Sequence, residues 1–355
     1  MPAVPAQPDG APLTVYETHP CRVLLGRGAR GKVPGEAERL GARRVLLVET
    51  RSAAAAAGEL AAALGGVLAA RFAGPVVHTP VEVTDEAMRT VRATRADLVV
   101  ALGGGAAIGL GKALSARTGV PQIAVPTTYA GSEATPVLGE TAGGRKTTRR
   151  DPSLAPGTVV YDPELTVTMP PGLTLTSALN ALAHAVEALW APDATAVTDA
   201  LAGEAAARIT DALPRVLDDP TALPAREELQ SAAWLAGICL AQTRMGLHHQ
   251  LAHALGGTFD LPHAELHALL LPHVLEFNLP AAPRAAARLT QALRGDPVAV
   301  VGALARRHTG PGRLRDLGVP RDGLRAVAEE VGARPYPNPR PPAADEVTAL
   351  LERAW

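Results

Sequence analysis

Residues 245–272, MGLHHQLAHALGGTFDLPHAELHALLLP, set five histidines (His248, His249, His253, His263 and His267) into a segment otherwise apolar enough for a helical core. Residues four apart share a helical face, so His249 stacks with His253 and His263 with His267. Gly256, Gly257 and Pro262 are expected to break the segment between the pairs, leaving two helices that meet at a bend and turn both imidazole pairs into one cleft. The spacing recurs upstream in SALNALAHAVEALW, where Asn180 and His184 are again four apart, and seven of the ten histidines lie from His184 to His273. One imidazole on an apolar helix is ordinarily a satisfied core residue. So many together would each demand a buried hydrogen-bond partner, and that cost points to a functional cluster.

The first half of the chain reads differently. CRVLLG at 21–26, RRVLLVE at 43–49, ADLVVAL at 96–102, QIAV at 122–125 and VVYDP at 159–163 are short, apolar and bounded by glycine or polar residues, as buried strands are. Helical patterns at 84–94 and 106–117 alternate with them, which implies a largely parallel sheet. After Pro170 and Pro171 the strand signals stop, and helical periodicity runs from Leu173, interrupted at Pro192, Pro220, Pro280 and Pro320. The expected organisation is a flexible tail at 1–13 with four prolines, an α/β dinucleotide-binding domain at 14–165 and an all-α catalytic domain at 166–355. The cleft between the domains is the default ligand site.

Two glycine loops compete for the phosphates of a dinucleotide. GRGARG at 26–31 fits G-x-G-x-x-G, with Glu49 downstream at a suitable distance for a ribose, but Pro34 and Gly35 make the following helix poor. Gly103, Gly104 and Gly105 follow a strand and open a helix containing Lys112, the arrangement that offers bare backbone N–H groups and a helix N-terminus to phosphate. The second loop is preferred. Thr127, Thr128 and Ser132 follow the next strand, where ligands of open α/β sheets bind. The basic run GGRKTTRR at 143–150 reads either as a solvated charge run or as a hairpin over the cleft.

A formal charge of −1 with interspersed signs excludes a nucleic-acid or membrane-surface role. Cys21 and Cys239 are the only cysteines, too few for a disulfide framework or a zinc ribbon. No stretch of about 18 uncharged apolar residues occurs, and the expectation is a cytoplasmic protein with no membrane or nucleic-acid partner.

Four stretches in order, GGGAAIGLGKA at 103–113, PTTYAGSEATP at 126–136, NALAHAVEAL at 180–189 and GLHHQLAHALGGTFDLPHAE at 246–265, resemble the iron-containing alcohol dehydrogenase superfamily and, among its branches, the maleylacetate reductases. The likeness runs from about residue 23 to 278. It implies a dehydroquinate synthase-like fold, a homodimer, and NADH or NADPH held by Gly103, Gly104, Gly105, Thr127, Thr128, Ser132 and Lys146. In metal-dependent branches an Asp and three His bind Fe or Zn; the matching positions are Asn180, His184, His249 and His263, and His253 matches a histidine beside the nicotinamide.

Asn180 departs from that pattern. At an effective dielectric near 20, a +2 and a −1 charge about 4 Å apart attract by roughly 8 kcal/mol before desolvation, and an amide has no comparable contribution. No metal is therefore expected. The expected reaction is reduction by NADH or NADPH of the C=C bond of 2-maleylacetate to 3-oxoadipate in aromatic-compound degradation, with His253 as proton donor and His249, His184, His263 and Asn180 lining the pocket. The two substrate carboxylates need partners, for which Lys146, Arg145, Arg149, Arg244 and Asn180 are candidates, while Gln250 stands where the family likeness leads one to expect a lysine. Glu49 facing the ribose would repel a 2′-phosphate and Arg51 would welcome it, so both dinucleotides stay open. The alternatives are a metal-dependent alcohol or polyol dehydrogenase that tolerates Asn180, and a catalytically silent nucleotide-binding relative.

Overall fold

Strands that are apolar on both faces need cover on both sides, and the chain supplies it with helices. The computed structural model describes residues 21–333 and 335–355; the tail expected at 1–13 lies outside the described residues. The strands are β1 (Arg22–Leu25), β2 (Val45–Glu49), β3 (Leu68–Phe72), β4 (Leu98–Gly103), β5 (Gln122–Pro126), β6 (Val137–Ala142), β7 (Arg145–Arg150) and β8 (Thr158–Tyr161). Between them run α1 (Val33–Arg39), α2 (Ala54–Leu64), α3 (Val81–Thr94) and α4 (Gly105–Thr118). All neighbours in the main sheet are parallel, in the order β1-β8-β5-β4-β2-β3. Leu47, Val100 and Val125 pack with α1 and α2 on one face, while Leu46, Val48 and Val99 pack with α3 and α4 on the other.

From β2 the chain steps outward to β3, then crosses back to β4 and continues to β5 on the far side. The order therefore reverses between β2 and β4, and a crevice opens at their carboxyl ends, where Gly103 lies. β3 was not among the expected strands: in LAARF only Phe72 is buried, because the strand sits at the sheet edge. The basic segment forms an antiparallel β6–β7 hairpin, with Thr141 opposite Lys146.

After β8 every strand signal ends and the helices α5 (Pro171–Leu189), α6 (Ala196–Asp218), α7 (Leu223–Gln242), α8 (Leu247–Phe259), α9 (His263–Asn278), α10 (Pro283–Leu293), α11 (Pro297–Ala305), α12 (Gly323–Gly332) and α13 (Ala344–Ala354) follow. α5 is the centre of the larger helical core: every residue of it from Thr174 to Leu189 is buried, against α6, α7 and α9 to α11. A helix covered on all sides has no solvent-facing side, which is why charged residues are nearly absent from its sequence. The expected break at Gly256 and Gly257 is corrected: α8 runs through both, and the chain turns at Asp260, whose φ is 52°, before Pro262 opens α9. Alternate backbone directions at that corner, not glycine flexibility, set the angle between the two histidine helices.

The first glycine loop is already filled. Asp162, fully buried at the end of β8, accepts hydrogen bonds from Gly28 N (3.1 Å), Arg30 N (3.2 Å) and Glu164 N (3.1 Å), and pairs with the Arg30 guanidinium at 2.8 Å. A carboxylate occupies the place a phosphate would need. Replacing Asp162 by Ala should lower unfolding free energy by about 2–4 kcal/mol, because it strands the amides of Gly28, Arg30 and Glu164, while the Arg30 guanidinium keeps Glu164. Urea denaturation would show this, with NADH affinity of the folded variant unchanged; a selective loss of NADH binding would return the phosphate role to this loop.

Candidate active site

At the carboxyl end of β4, Gly103 has φ 148°, and a Cβ there would lie 2.7 Å from Thr50 of the strand across the crevice. Its carbonyl accepts from Thr127 N at 3.1 Å, which ties the β4 and β5 ends together. Gly104 is the N-cap of α4 and offers no side-chain cap; a Cβ there would come within 3.0 Å of Thr128. Gly105 faces open space. Uncapped first-turn amides with open space before them are an anion site in waiting, and the fit to a pyrophosphate is good. Ser132 opens a short 3-10 turn, with its buried Oγ lacking a partner among the described residues. The Lys146 side chain lies outside what the structure describes.

Glu49, one of two candidates for the ribose, is instead buried against Arg71 of β3, at 2.7 and 3.3 Å. Arg51 stays exposed.

The second wall is imidazole. α5 carries Asn180 and His184, α8 carries His248, His249 and His253, and α9 carries His263 and His267. Helix crossing brings these three faces together: ring centroids are 5.1 Å apart for His184 and His249, 5.2 Å for His253 and His263, and 6.3 Å for His249 and His253. His184, His248, His249 and His267 are buried, whereas His253 is exposed. Asn180 Oδ1, His184 Nδ1 and His249 Nε2 are buried without a hydrogen-bond partner among the described residues. Three orphaned polar atoms in one place call for a polar ligand.

The sequence reading missed the groups that orient this wall. Glu187, fully buried one turn beyond His184, accepts from Gly246 N (2.9 Å), His248 N (2.9 Å) and His249 Nδ1 (2.7 Å). His249 must therefore carry a proton on Nδ1, which turns its Nε2 toward the cluster. Behind it His248 Nε2 meets His267 Nδ1 at 2.7 Å, and His267 Nε2 meets His263 Nε2 at 2.9 Å. The signal for Glu187 was present: positions 180, 184 and 187 lie on one helical face. Of the proposed carboxylate clamps, Arg149 pairs with Asp151 at 2.6 Å and Arg244 with Asp193 at 3.2 Å, both exposed, whereas Asn180 is buried on the helical face that carries His184. Arg145 lies exposed on the hairpin.

Several candidate donors already have protein partners: His263 Nε2 meets His267 and the Glu187 carboxylate is spent on His249 and two amides, while Asn180 contributes no charge. Burial first, and neighbouring imidazoles second, hold His184, His248 and His267 well below the usual histidine range, so they are neutral near pH 7.

Two independent family models match the chain: iron-containing alcohol dehydrogenase over residues 20–163, and the C-terminal region of the Fe-containing alcohol dehydrogenase family over residues 174–355. A maleylacetate reductase of Rhizobium sp. (strain MTP-10005) is 45% identical over 341 residues, covering 96% of this chain and 97% of its own. Maleylacetate reductase 1 of Rhodococcus opacus is 44% identical, covering 96% of each. The crystal structure of maleylacetate reductase from Agrobacterium tumefaciens superposes with a TM-score of 0.93 at 44% identity, covering 97% of this chain and 99% of that one.

Two measurements test the geometry. Gly105→Leu places a side chain in open space on a helix, so thermal stability should hold while NADH affinity falls at least about tenfold; unchanged affinity would remove the triple glycine from the cofactor site. Histidines whose folded pKa is depressed bind fewer protons folded than unfolded, so stability is full above about pH 6.5 and declines as pH falls below it. The slope is at most about 1.4 kcal/mol per pH unit for each histidine. Urea midpoints between pH 7.5 and 5 should show the decline, and His248→Gln should remove one histidine's share; an unaltered slope in that variant would contradict the assignment.

Proposed function

The chain belongs to the iron-containing alcohol dehydrogenase family, and from that premise we propose that it reduces 2-maleylacetate to 3-oxoadipate with NADH or NADPH and without a metal ion. The observation that carries the reading is a neutral Asn180 on the same face of α5 as His184, with polar atoms of both and of His249 buried and unmatched among the described residues, while the buried Glu187 carboxylate is engaged by His249. Substantial identity to maleylacetate reductases over nearly the whole chain supports it.

Alcohol dehydrogenation forms an alkoxide, for which a cation is the usual partner. Reduction of an alkene conjugated to a ketone places the charge on an enolate, and hydrogen-bond donors can carry that. When bound, the reduced dinucleotide supplies a hydride to the alkene carbon β to the ketone. Gly103, Gly104 and Gly105 receive its phosphates, and Thr127, Thr128 and Ser132 its ribose and nicotinamide end. The Asn180 amide and the imidazoles of His184 and His249 face the developing enolate oxygen, with Glu187 favouring positive charge on His249 as negative charge grows on the substrate. His253, exposed at the rim, gives its proton to the carbon α to the ketone and regains one from solvent.

Glu49 is paired with Arg71 and Arg51 is exposed, so neither a free Glu49 opposes a 2′-phosphate nor a fixed contact selects it, and the reductant is NADH or NADPH. Among the described residues no helix is long and apolar enough to cross a membrane; a cytoplasmic homodimer acting on a free dicarboxylate completes the proposal.

The deciding experiment is a substrate panel with chelator-treated protein whose metal content is measured. Full maleylacetate-dependent NADH oxidation, none with simple aldehydes, and a drop of about 10² or more in kcat for His253→Asn are expected. Activity that returns only with iron or zinc would favour an alcohol dehydrogenase, and NADH binding without turnover of either substrate type would favour a silent relative.

A further inference from the structure

Lys112 lies on α4, seven residues and about two turns beyond Gly105, and is fully buried. Its Nζ donates to Ser132 O (2.5 Å), Thr135 O (2.8 Å), Val137 O (2.9 Å) and Thr135 Oγ1 (3.1 Å). Thr135 Oγ1 spends its own hydrogen on Ser132 O at 2.9 Å, so toward Lys112 it can only accept. Oxygen acceptors on every side require the three N–H bonds of an ammonium group and cannot be met by an amine. Burial opposes that charge, lowering the lysine to about 7, and Glu133 partly restores it.

The segment so gripped joins the two walls of the site. At its start Thr127 N is held by Gly103 O, and Tyr129 N donates to Ser177 Oγ on α5 at 3.0 Å. Gly131, with φ 75°, is pressed against the helical half: a Cβ there would lie 3.3 Å from Gly237 Cα and 3.5 Å from His184 Nδ1. One, four and six residues later come Ser132, Thr135 and Val137, whose carbonyls Lys112 holds. A helix whose N-terminus receives the cofactor thus also grips, through one buried side chain, the strap that touches the catalytic imidazoles.

We infer that Lys112 is a positioning residue for hydride transfer, its ammonium fixing the 127–137 strap so that the nucleotide loop and the imidazole wall face each other at the reacting distance. This rests on the assignment of the glycine loop and the substrate made above. A lysine that merely filled core volume would be replaced by methionine at little cost. A positioning lysine would not, since misplacement by about 1 Å can cost about 10²-fold in rate.

The test compares wild type with Lys112→Met, measuring NADH affinity by fluorescence titration, kcat with maleylacetate, and the isotope effect with NADH deuterated at the transferred position. Expected for Lys112→Met are a cooperative melt, NADH affinity within about fivefold of wild type, kcat lowered at least about 30-fold and a larger isotope effect. A kcat within about threefold of wild type, an unchanged isotope effect, or affinity and kcat falling in parallel would overturn the inference. If Lys112→Met does not fold, Lys112→Ala is assayed with and without n-butylammonium: recovery of kcat by about tenfold supports the role, and no recovery overturns it. Should wild type fail to reduce maleylacetate, the substrate assignment has failed, and the same comparison is made with whichever carbonyl compound wild type does reduce.

Discussion

A helix buried on every side must find a partner for each polar group it carries, and α5 carries three on one face. Glu187 finds its partners in two backbone amides and the His249 ring. Asn180 and His184 keep polar atoms that the described residues leave unmatched. Since unmatched buried polar atoms are destabilising by about 1–3 kcal/mol each, their persistence in the middle of an otherwise apolar core is best accounted for by a ligand that completes them. The rest of the helical half is arranged around that face, with α8 and α9 supplying the remaining imidazoles.

The chemistry follows from charge. Glu187 is buried beside the cluster, and its carboxylate is taken up by two backbone amides and the His249 ring. The buried rings of His184, His248 and His267 are neutral near pH 7, and each can donate or accept according to tautomer. His248, His267 and His263 extend the imidazole wall into a hydrogen-bonded line of rings, in which the tautomer of one constrains the next.

The nucleotide half is tied to this wall by a short strap and not by a large shared core. Gly131 and Gly237 allow close backbone approach, and Lys112 fastens the far end of the strap to the helix that begins at the triple glycine. Small residues appear where the two halves touch because a Cβ would separate them. The same logic explains Gly103, where Thr50 leaves no space for a side chain.

Much of this was legible in the sequence. Apolar runs bounded by glycine gave β2, β4, β5 and β8; the triple glycine marked the turn from β4 into α4; four-residue spacing placed Asn180 with His184 and His249 with His253 on shared helical faces. These are local properties, fixed by strand and helix periods. The half-exposed edge strand β3 escaped because burial on one side leaves little pattern, and the turn between α8 and α9 was misplaced by three or four residues because a glycine inside a well-packed helix is tolerated. What only the tertiary structure decided was partnership: that Asp162 fills the first glycine loop, that Arg71 takes Glu49 away from the ribose, that Glu187 orients His249, and that Lys112 grips the strap. Each joins residues far apart in the chain, and such pairings depend on which surfaces meet when helices and sheet pack, a quantity no local period encodes.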